Sequence, residues 1–273
     1  MSITGLIASA RQRPARPLYA GLLAIPILIA QCQPACEPVP GPPPAPRVIE
    51  QRQIGTSHQG RSIMAYRVGT PGGKVVLAVG VIHGDEQAGI EIVEYVRDTA
   101  PIPEGLDVWV IPSVNPDGEA VNGETNAAGV DLNRNFPPNW QLIDCTTNPL
   151  NCSGPEPLSE PESKAVAAFV GEIQPRMTVW YHAVGPVVDN ALVNGVANPG
   201  VLTAYAAHAQ YPVYTVPCGP TIYCTGNATQ YMNSTIPGSS AFVVELATKT
   251  AGAMSPKGVE NHINGFWAAA AVA

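Results

Sequence analysis

The sequence predicts an α/β fold in which a mostly parallel, twisted sheet is covered by helices on both faces. Three observations carry that reading. Four strongly apolar runs, Lys74–Ile82, Asp107–Pro112, Met177–His182 and Ala241–Leu246, read as buried strands. Helical patterns fall between or after them, at Gln87–Ala100, Glu160–Ile173, Val201–Ala209 and Val259–Val272. Runs that are apolar throughout and alternate with helices are the signature of parallel strands whose crossovers cover both faces. Hydrophobic residues make up 45% of the 273-residue chain and charged residues 13%, enough apolar material for one sizeable core.

Residues 1–36 read as an export signal. Arg11, Arg13 and Arg16 form its positive region, and Leu18–Ala30 its apolar core. That core is shorter than the roughly 20 residues that span a bilayer. An uncleaved membrane anchor is the alternative, and Ile29-Ala30-Gln31-Cys32 faintly resembles a lipoprotein cleavage box, with Gln31 a poor residue before the cysteine. Residues 37–46 form a spacer: six of the nine residues from Pro38 to Pro46 are proline, which favours an extended, semi-rigid chain. Residues 47–273 then make one domain, secreted or held in the cell envelope, with membrane contact through the amino-terminal segment alone. Without residues 1–46 the chain carries 11 basic against 20 acidic residues, a formal charge of −9. With no basic patch, nucleic acid and anionic membrane surfaces are poor partners.

The domain opens with Val48–Val68, where Ile49, Ile54, Ile63 and Tyr66 alternate with polar residues around a glycine-containing turn, the pattern of a hairpin. Ser159-Glu160-Pro161-Glu162 precedes the second helix as a capping box with Ser159 as N-cap, which assigns Glu160 and Glu162 to helix-end work. Cys145 and Cys152, and Cys218 and Cys224, stand close together in turn-rich segments. Export allows each pair to close a disulfide, and no C-x-x-C pair favours a cysteine–zinc site.

The chemistry gathers at strand ends. His83-Gly84-Asp85-Glu86 follows the first apolar run and His182 ends the third. The carboxyl ends of neighbouring parallel strands converge, and that rim is where open α/β sheets bind ligands. His83, Glu86 and His182 together supply the three protein ligands of a His₂Glu zinc site, with one position left for water. Of the other histidines, His58 falls in the hairpin turn, and His208 and His262 fall on helical patterns as surface or packing residues. Glu245 is a lone acid in a buried run, which needs a reason. It reads either as a structural carboxylate with a buried partner or as a general base beside a metal. Asn133-Arg134 forms a pair able to clamp a substrate carboxylate, the alternative being an Arg134 tied to Asp131.

Six blocks, in this order, resemble the carboxypeptidase A superfamily of zinc peptidases, and within it the bacterial murein peptide amidase branch. They are His83–Glu86, Asn115-Pro116-Asp117-Gly118, Gly129–Pro137, Gly154–Glu162, Trp180–His182 and Pro237–Leu246. The resemblance implies a mixed sheet of about eight strands and one Zn2+ per chain, held by His83, Glu86 and His182. It implies Glu245 as general base, and Asn133 and Arg134 as the pair that binds the terminal carboxylate of a peptide substrate. A mobile tyrosine over the substrate is matched by Tyr223 and more weakly by Tyr231. The implied reaction is amide hydrolysis near the carboxyl end of a short peptide, either a cell-wall stem peptide or an ordinary peptide carboxyl terminus.

One position departs from the pattern. Where the resemblance leads to an arginine that stabilises the developing oxyanion, two residues before Asn126, this chain has Glu124. Three readings stay open: zinc alone carries the oxyanion, Arg61 substitutes, or Glu124 reads an amine on the substrate. Glu124 also keeps open a non-catalytic peptide-binding module on the same fold. Asp85 reads equally as a partner of a ligand histidine or as a plain helix N-terminal acid.

Overall fold

The computed structural model describes residues 47–183, 187–189, 198–214 and 224–273. Residues 1–46, to which the signal and the proline-rich spacer are assigned, lie outside them, as do Cys218 and Tyr223. Ala45–Ala273 forms one compact unit. Among the described residues, no helix is long and apolar enough to cross a membrane.

The predicted hairpin is β1 (Val48–Thr56) with β2 (Ser62–Gly69), antiparallel. There follow β3 (Lys74–Val79), α1 (Gly89–Asp98), β4 (Leu106–Ile111), α2 (Pro116–Val121), a 3-10 turn at Leu132–Arg134, α3 (Pro161–Ile173) and β5 (Met177–Ala183). The remainder is β6 (Val187–Asp189), α4 (Pro199–Ala209), β7 (Val213–Tyr214), α5 (Ala228–Thr235), β8 (Ser240–Leu246) and α6 (Pro256–Val272). The strands form one sheet in the order β1-β2-β4-β3-β5-β8-β6-β7. The central β4-β3-β5-β8 block is parallel, while β1–β2, β2–β4 and β6–β8 are antiparallel.

Two layers of core follow from the period-2 alternation of the strands. Val76, Ala78, Val108, Val110, Val179, Tyr181, Phe242 and Val244 point to a face covered by α1, α4 and α6. Leu77, Val79, Trp109, Ile111, Trp180 and Val243 point to the other, where α3, α5, Leu132 and Phe136 pack. His182 and Glu245 share parity with Trp180 and Val243, so strand geometry alone sends both toward the α3/α5 side.

Three details differ from the sequence reading. The first buried strand ends at Val79, not Ile82. Gly80 N–H still bonds Ile111 O at 2.9 Å and Val114 N–H bonds Val81 O at 2.9 Å, but the ladder is no longer regular, and His83 sits on the loop beyond it. The elements α2, α5, β6 and β7 went unanticipated, being too short to show a period. The capping box before α3 does not form: Glu160 is the N-cap and makes no side-chain capping bond. Ser159 Oγ instead donates to Glu160 Oε1 at 2.8 Å. Glu160 and Glu162 are buried, and both accept from Asn126 Nδ2, at 2.8 and 3.1 Å. Glu162 also accepts the His58 N–H at 2.8 Å. Burial makes these long-range amide partners worth more to the carboxylates than a solvated helix end.

Two tight features generate predictions. Gly84 lies so close to α2 that an added Cβ would stand 2.0 Å from the Gly118 carbonyl carbon, a backbone atom. Gly84→Ala is therefore expected to destabilise the domain by about 1–3 kcal/mol, read as a lower urea midpoint. His262 is the packing residue that its helix predicts: 2% exposed, its Nδ1 2.9 Å from the Tyr205 hydroxyl and its ring edge-on to Tyr211. Burial pushes its pKa from 6.5 down to about 4. Because the folded value is depressed, the unfolded chain takes up the proton first. This contribution to stability is complete above about pH 6.5 and is lost as pH falls toward 4. Unfolding free energies measured down that window should fall by on the order of 2–3 kcal/mol from this group, and the slope should shallow by about one proton in His262→Gln.

Candidate metal centre

His83 and Glu86 sit on the turn after β3, His182 is the last residue but one of β5, and Glu245 is the last but one of β8. His182 stands directly opposite Glu245 in the parallel β5–β8 register. The turn at 83–86 is pinned from three sides. Glu86 N–H bonds His83 O at 3.0 Å. Asn115 Nδ2 donates to Ile82 O at 3.0 Å, while its Oδ1 caps α2 through the Gly118 N–H. The carbonyl of Lys249 accepts the Gln87 and Ala88 N–H groups at 2.7 and 3.1 Å, so the start of α1 hangs on the chain that leaves β8.

Glu86 Oε2 lies 3.1 Å from His83 Nδ1 and 3.0 Å from His182 Nδ1, with the two rings edge-on at 4.7 Å. His83, Glu86 and His182 are 6, 6 and 4% exposed, and their ligand atoms all lie within 4.8 Å of one another. Asp131 Oδ1 meets the far nitrogen of His83, Nε2, at 3.0 Å. An Nε2–H donated to Asp131 leaves the Nδ1 lone pair turned toward Glu86 and His182, the tautomer a metal needs. His182 Nε2 is buried without a partner. Two imidazole nitrogens and one carboxylate oxygen, close-set and buried, are a donor set that fits zinc and leaves a position open.

The electrostatics fit a cluster that expects a cation. Burial disfavours a charged His83, but Asp131 and Glu86 outweigh it and raise the imidazole well above its ordinary value. Burial likewise disfavours a charged Glu86, yet His83 and His182 hold its pKa far below the carboxylate range. Asp131, fully buried, is also held low: burial is outweighed by Arg134, His83 and the Asn133 N–H.

Asp131 links the cluster to the segment that carries Asn133 and Arg134. Its Oδ1 accepts the Asn133 N–H at 2.9 Å, and its Oδ2 lies 3.8 Å from Arg134 Nε. The sequence reading put Asp131 beside Arg134 and missed it as the partner of His83; its place two residues before Asn133 was the available signal. Asn133 Oδ1 accepts the Ala228 N–H at the start of α5 at 3.0 Å. Arg134 Nη1 donates to Asn133 O at 2.9 Å and Nη2 to Asn151 Oδ1 at 3.3 Å. The predicted Cys145–Cys152 disulfide is present, and Cys152 O accepts the Asp131 N–H at 2.8 Å, so the cross-linked loop braces this segment. The Cys218–Cys224 pairing and Tyr223 fall outside the described residues. Tyr231 packs on Phe136 at 5.7 Å, as part of the α5 interface.

Several readings are corrected by geometry. Glu245 is partly exposed, not buried as its apolar run implies. Arg61 cannot serve the oxyanion while its guanidinium is held by buried Asp117 and by Gln59 Oε1. Asp85 is the partner of neither histidine: its Oδ2 takes Lys249 Nζ at 2.7 Å. Lys249 was missed by the sequence reading. Its ammonium also stands 3.8 Å from Glu86 Oε1, and Asp85, Glu86 and Glu124 raise its pKa against the opposing effect of burial. Glu124 Oε1 is 4.0 Å from His83 Nδ1. Burial pushes the Glu124 carboxyl up, His83 opposes it, and Asp131, Glu86 and Asp85 add to the rise.

Comparison with known proteins bears on this geometry. The profile of the zinc carboxypeptidase family matches residues 44–191. Metallocarboxypeptidase A of Trichophyton tonsurans is 30% identical over 171 residues, which are 51% of this chain and 39% of that protein. Murein peptide amidase A of Escherichia coli K12 is 33% identical over 143 residues, 47% of this chain and 59% of that protein. The matched stretches thus span less than two thirds of these relatives. In fold, the chain resembles carboxypeptidase A of Helicoverpa armigera, with a TM-score of 0.66 at 20% identity over 83% of this chain and 70% of that one. It also resembles the murein-tripeptide amidase of Escherichia coli O157, with a TM-score of 0.59 at 21% identity over 82% of this chain and 92% of that one. The family profile covers more than half of the sequence and contains His83, Glu86 and His182; the chain belongs to the zinc carboxypeptidase family.

Proposed function

We propose that the protein is an exported zinc peptidase that hydrolyses an amide near the carboxyl end of a short peptide, with a cell-wall stem peptide as the favoured substrate class. The observation that carries this reading is the buried His83–Glu86–His182 cluster with Glu245 opposite His182 on the neighbouring strand. Zinc, when bound, supplies a Lewis acid that polarises the amide carbonyl and lowers the pKa of water. His83, Glu86 and His182 hold it, and Asp131 keeps His83 in the ligating tautomer. Glu245, partly exposed at the end of β8, takes a proton from the attacking water and returns it to the leaving nitrogen. Asn133 and Arg134 bind the terminal carboxylate and so decide which amide lies in reach.

Export is supported by the apolar run Leu18–Ala30 and by the Cys145–Cys152 disulfide, which suits an oxidising compartment. The cell-wall reading is supported by the murein peptide amidase relative and by the size of its E. coli O157 counterpart, 92% of which is covered. The metallocarboxypeptidase relatives support the second reading, an ordinary peptide carboxyl terminus.

Metal analysis should find about one zinc per chain, and Asp131→Asn should weaken zinc binding by about 10–100-fold in competition with a chelator. Unchanged affinity in that variant would remove Asp131 from the metal site. Turnover of a stem-peptide panel and a carboxyl-terminal peptide panel separates the two substrate classes. Glu245→Gln should lower kcat by about 10²–10⁴-fold while keeping its zinc. Zinc-loaded protein that binds peptides from either panel and cleaves none would establish a binding module instead.

A further inference from the structure

Arg134 is held at the tips of its guanidinium and left open at its neck. Nη1 donates to Asn133 O, next to it in the chain, and Nη2 donates to Asn151 Oδ1 at 3.3 Å. Nε is buried without a hydrogen-bond partner among the described residues, and so is Asp131 Oδ2, 3.8 Å away. That separation is too long for a hydrogen bond. An arginine and a carboxylate so placed gain by closing into a charge-assisted pair, and a movement of about 1 Å brings them to bonding distance. A closed pair would commit to Asp131 donors that a substrate carboxylate needs. Among the described residues, Asn151 is the contact from outside the Asp131–Arg134 segment that holds the guanidinium away from that closure.

Asn151 belongs to the loop closed by the Cys145–Cys152 disulfide, and its own N–H bonds Asn148 O at 3.1 Å inside that loop. The base of the loop is anchored apart from the cross-link. Ser153 Oγ accepts the Ile143 N–H at 2.8 Å, and Ser153 O accepts from Asn135 Nδ2 and Trp140 Nε1 at 2.9 and 3.1 Å. The disulfide therefore restrains residues 146–151, which these anchors do not reach. We propose that Asn151 is a positioning residue of the carboxylate clamp: it holds Arg134 off Asp131, so that the guanidinium stays open to the terminal carboxylate of the substrate, and the Cys145–Cys152 cross-link holds Asn151 in place. Asn151 acts through Arg134. Without it, Arg134 closes on Asp131 Oδ2, while Asp131 Oδ1 stays with His83 and the Asn133 N–H, so the metal cluster is left intact. The inference rests on the role proposed above for Arg134 and names what sets that residue's position.

The test uses N-acetyl-alanyl-phenylalanine and γ-glutamyl-diaminopimelate, one peptide from each substrate class, with the α-carboxyl beside the scissile amide either free or amidated. Calorimetry on the full-length, zinc-loaded Glu245→Gln protein gives the preference for the free carboxyl, and KM and kcat are measured with Glu245 intact. The preference should be on the order of 10–100-fold, and Arg134→Gln should remove it. Asn151→Ala should lower it by about tenfold and raise KM by a similar factor, with kcat and zinc content unchanged. In the Arg134→Gln background, Asn151→Ala should weaken the free-carboxyl peptide no further, an outcome that a general loosening of the loop would not give. Cys145→Ser with Cys152→Ser should lower the preference in the same direction. A preference that survives Asn151→Ala, or an equal loss in the Arg134→Gln background, overturns the inference and leaves the clamp standing. No preference before any of these changes, or one that Arg134→Gln does not remove, overturns the clamp and the inference with it. A preference lost in Asn151→Ala and kept in the serine pair supports Asn151 and overturns the role of the cross-link.

Discussion

The hydrogen bond between His83 Nε2 and Asp131 Oδ1, 3.0 Å long and fully buried, is the contact on which the rest of the site depends. It fixes which nitrogen of His83 faces Glu86 and His182. The same carboxylate reaches the Asn133 N–H and lies beside Arg134, so one side chain sets both the metal cluster and the segment proposed to hold substrate. A buried carboxylate of this kind is costly unless it is paired. Here Arg134, His83 and a backbone N–H together keep Asp131 charged despite its burial.

The surrounding structure keeps that contact in register. The parallel β3, β5 and β8 bring their carboxyl ends to one rim, and strand alternation turns His182 and Glu245 the same way. Asn115 ties the loop after β3 to the start of α2, and the bare backbones of Gly84 and Gly118 let that loop touch the helix. On the other side, the Cys145–Cys152 loop supports Asp131 and Arg134 from outside the sheet. The site is thus a set of loops held by rigid strand ends, an arrangement that suits positioned chemistry.

Charge around the cluster is arranged in its own way. Glu124 faces His83, while Lys249 arrives from the chain after β8 and pairs with Asp85 and Glu86.

The central strands, the main helices and the hairpin were legible in the sequence because hydrophobic period is a local property, and the order of the blocks around His83, Asn133 and His182 was enough to identify the family. What the chain alone did not reveal was which polar groups would find each other. Glu160 and Glu162 look like a capping box by spacing, yet burial hands them to Asn126 and His58, residues far off in sequence. Arg61 looks available, yet Asp117 holds it. Lys249 stands in a polar loop with no local pattern, and it reaches Asp85 only because β8 lies two strands from β3. Local periodicity and motif order determined the fold and the candidate ligands. The pairing of charges was decided by tertiary structure, because a buried ion takes whichever partner the packing brings within hydrogen-bond distance, and sequence separation does not enter that choice.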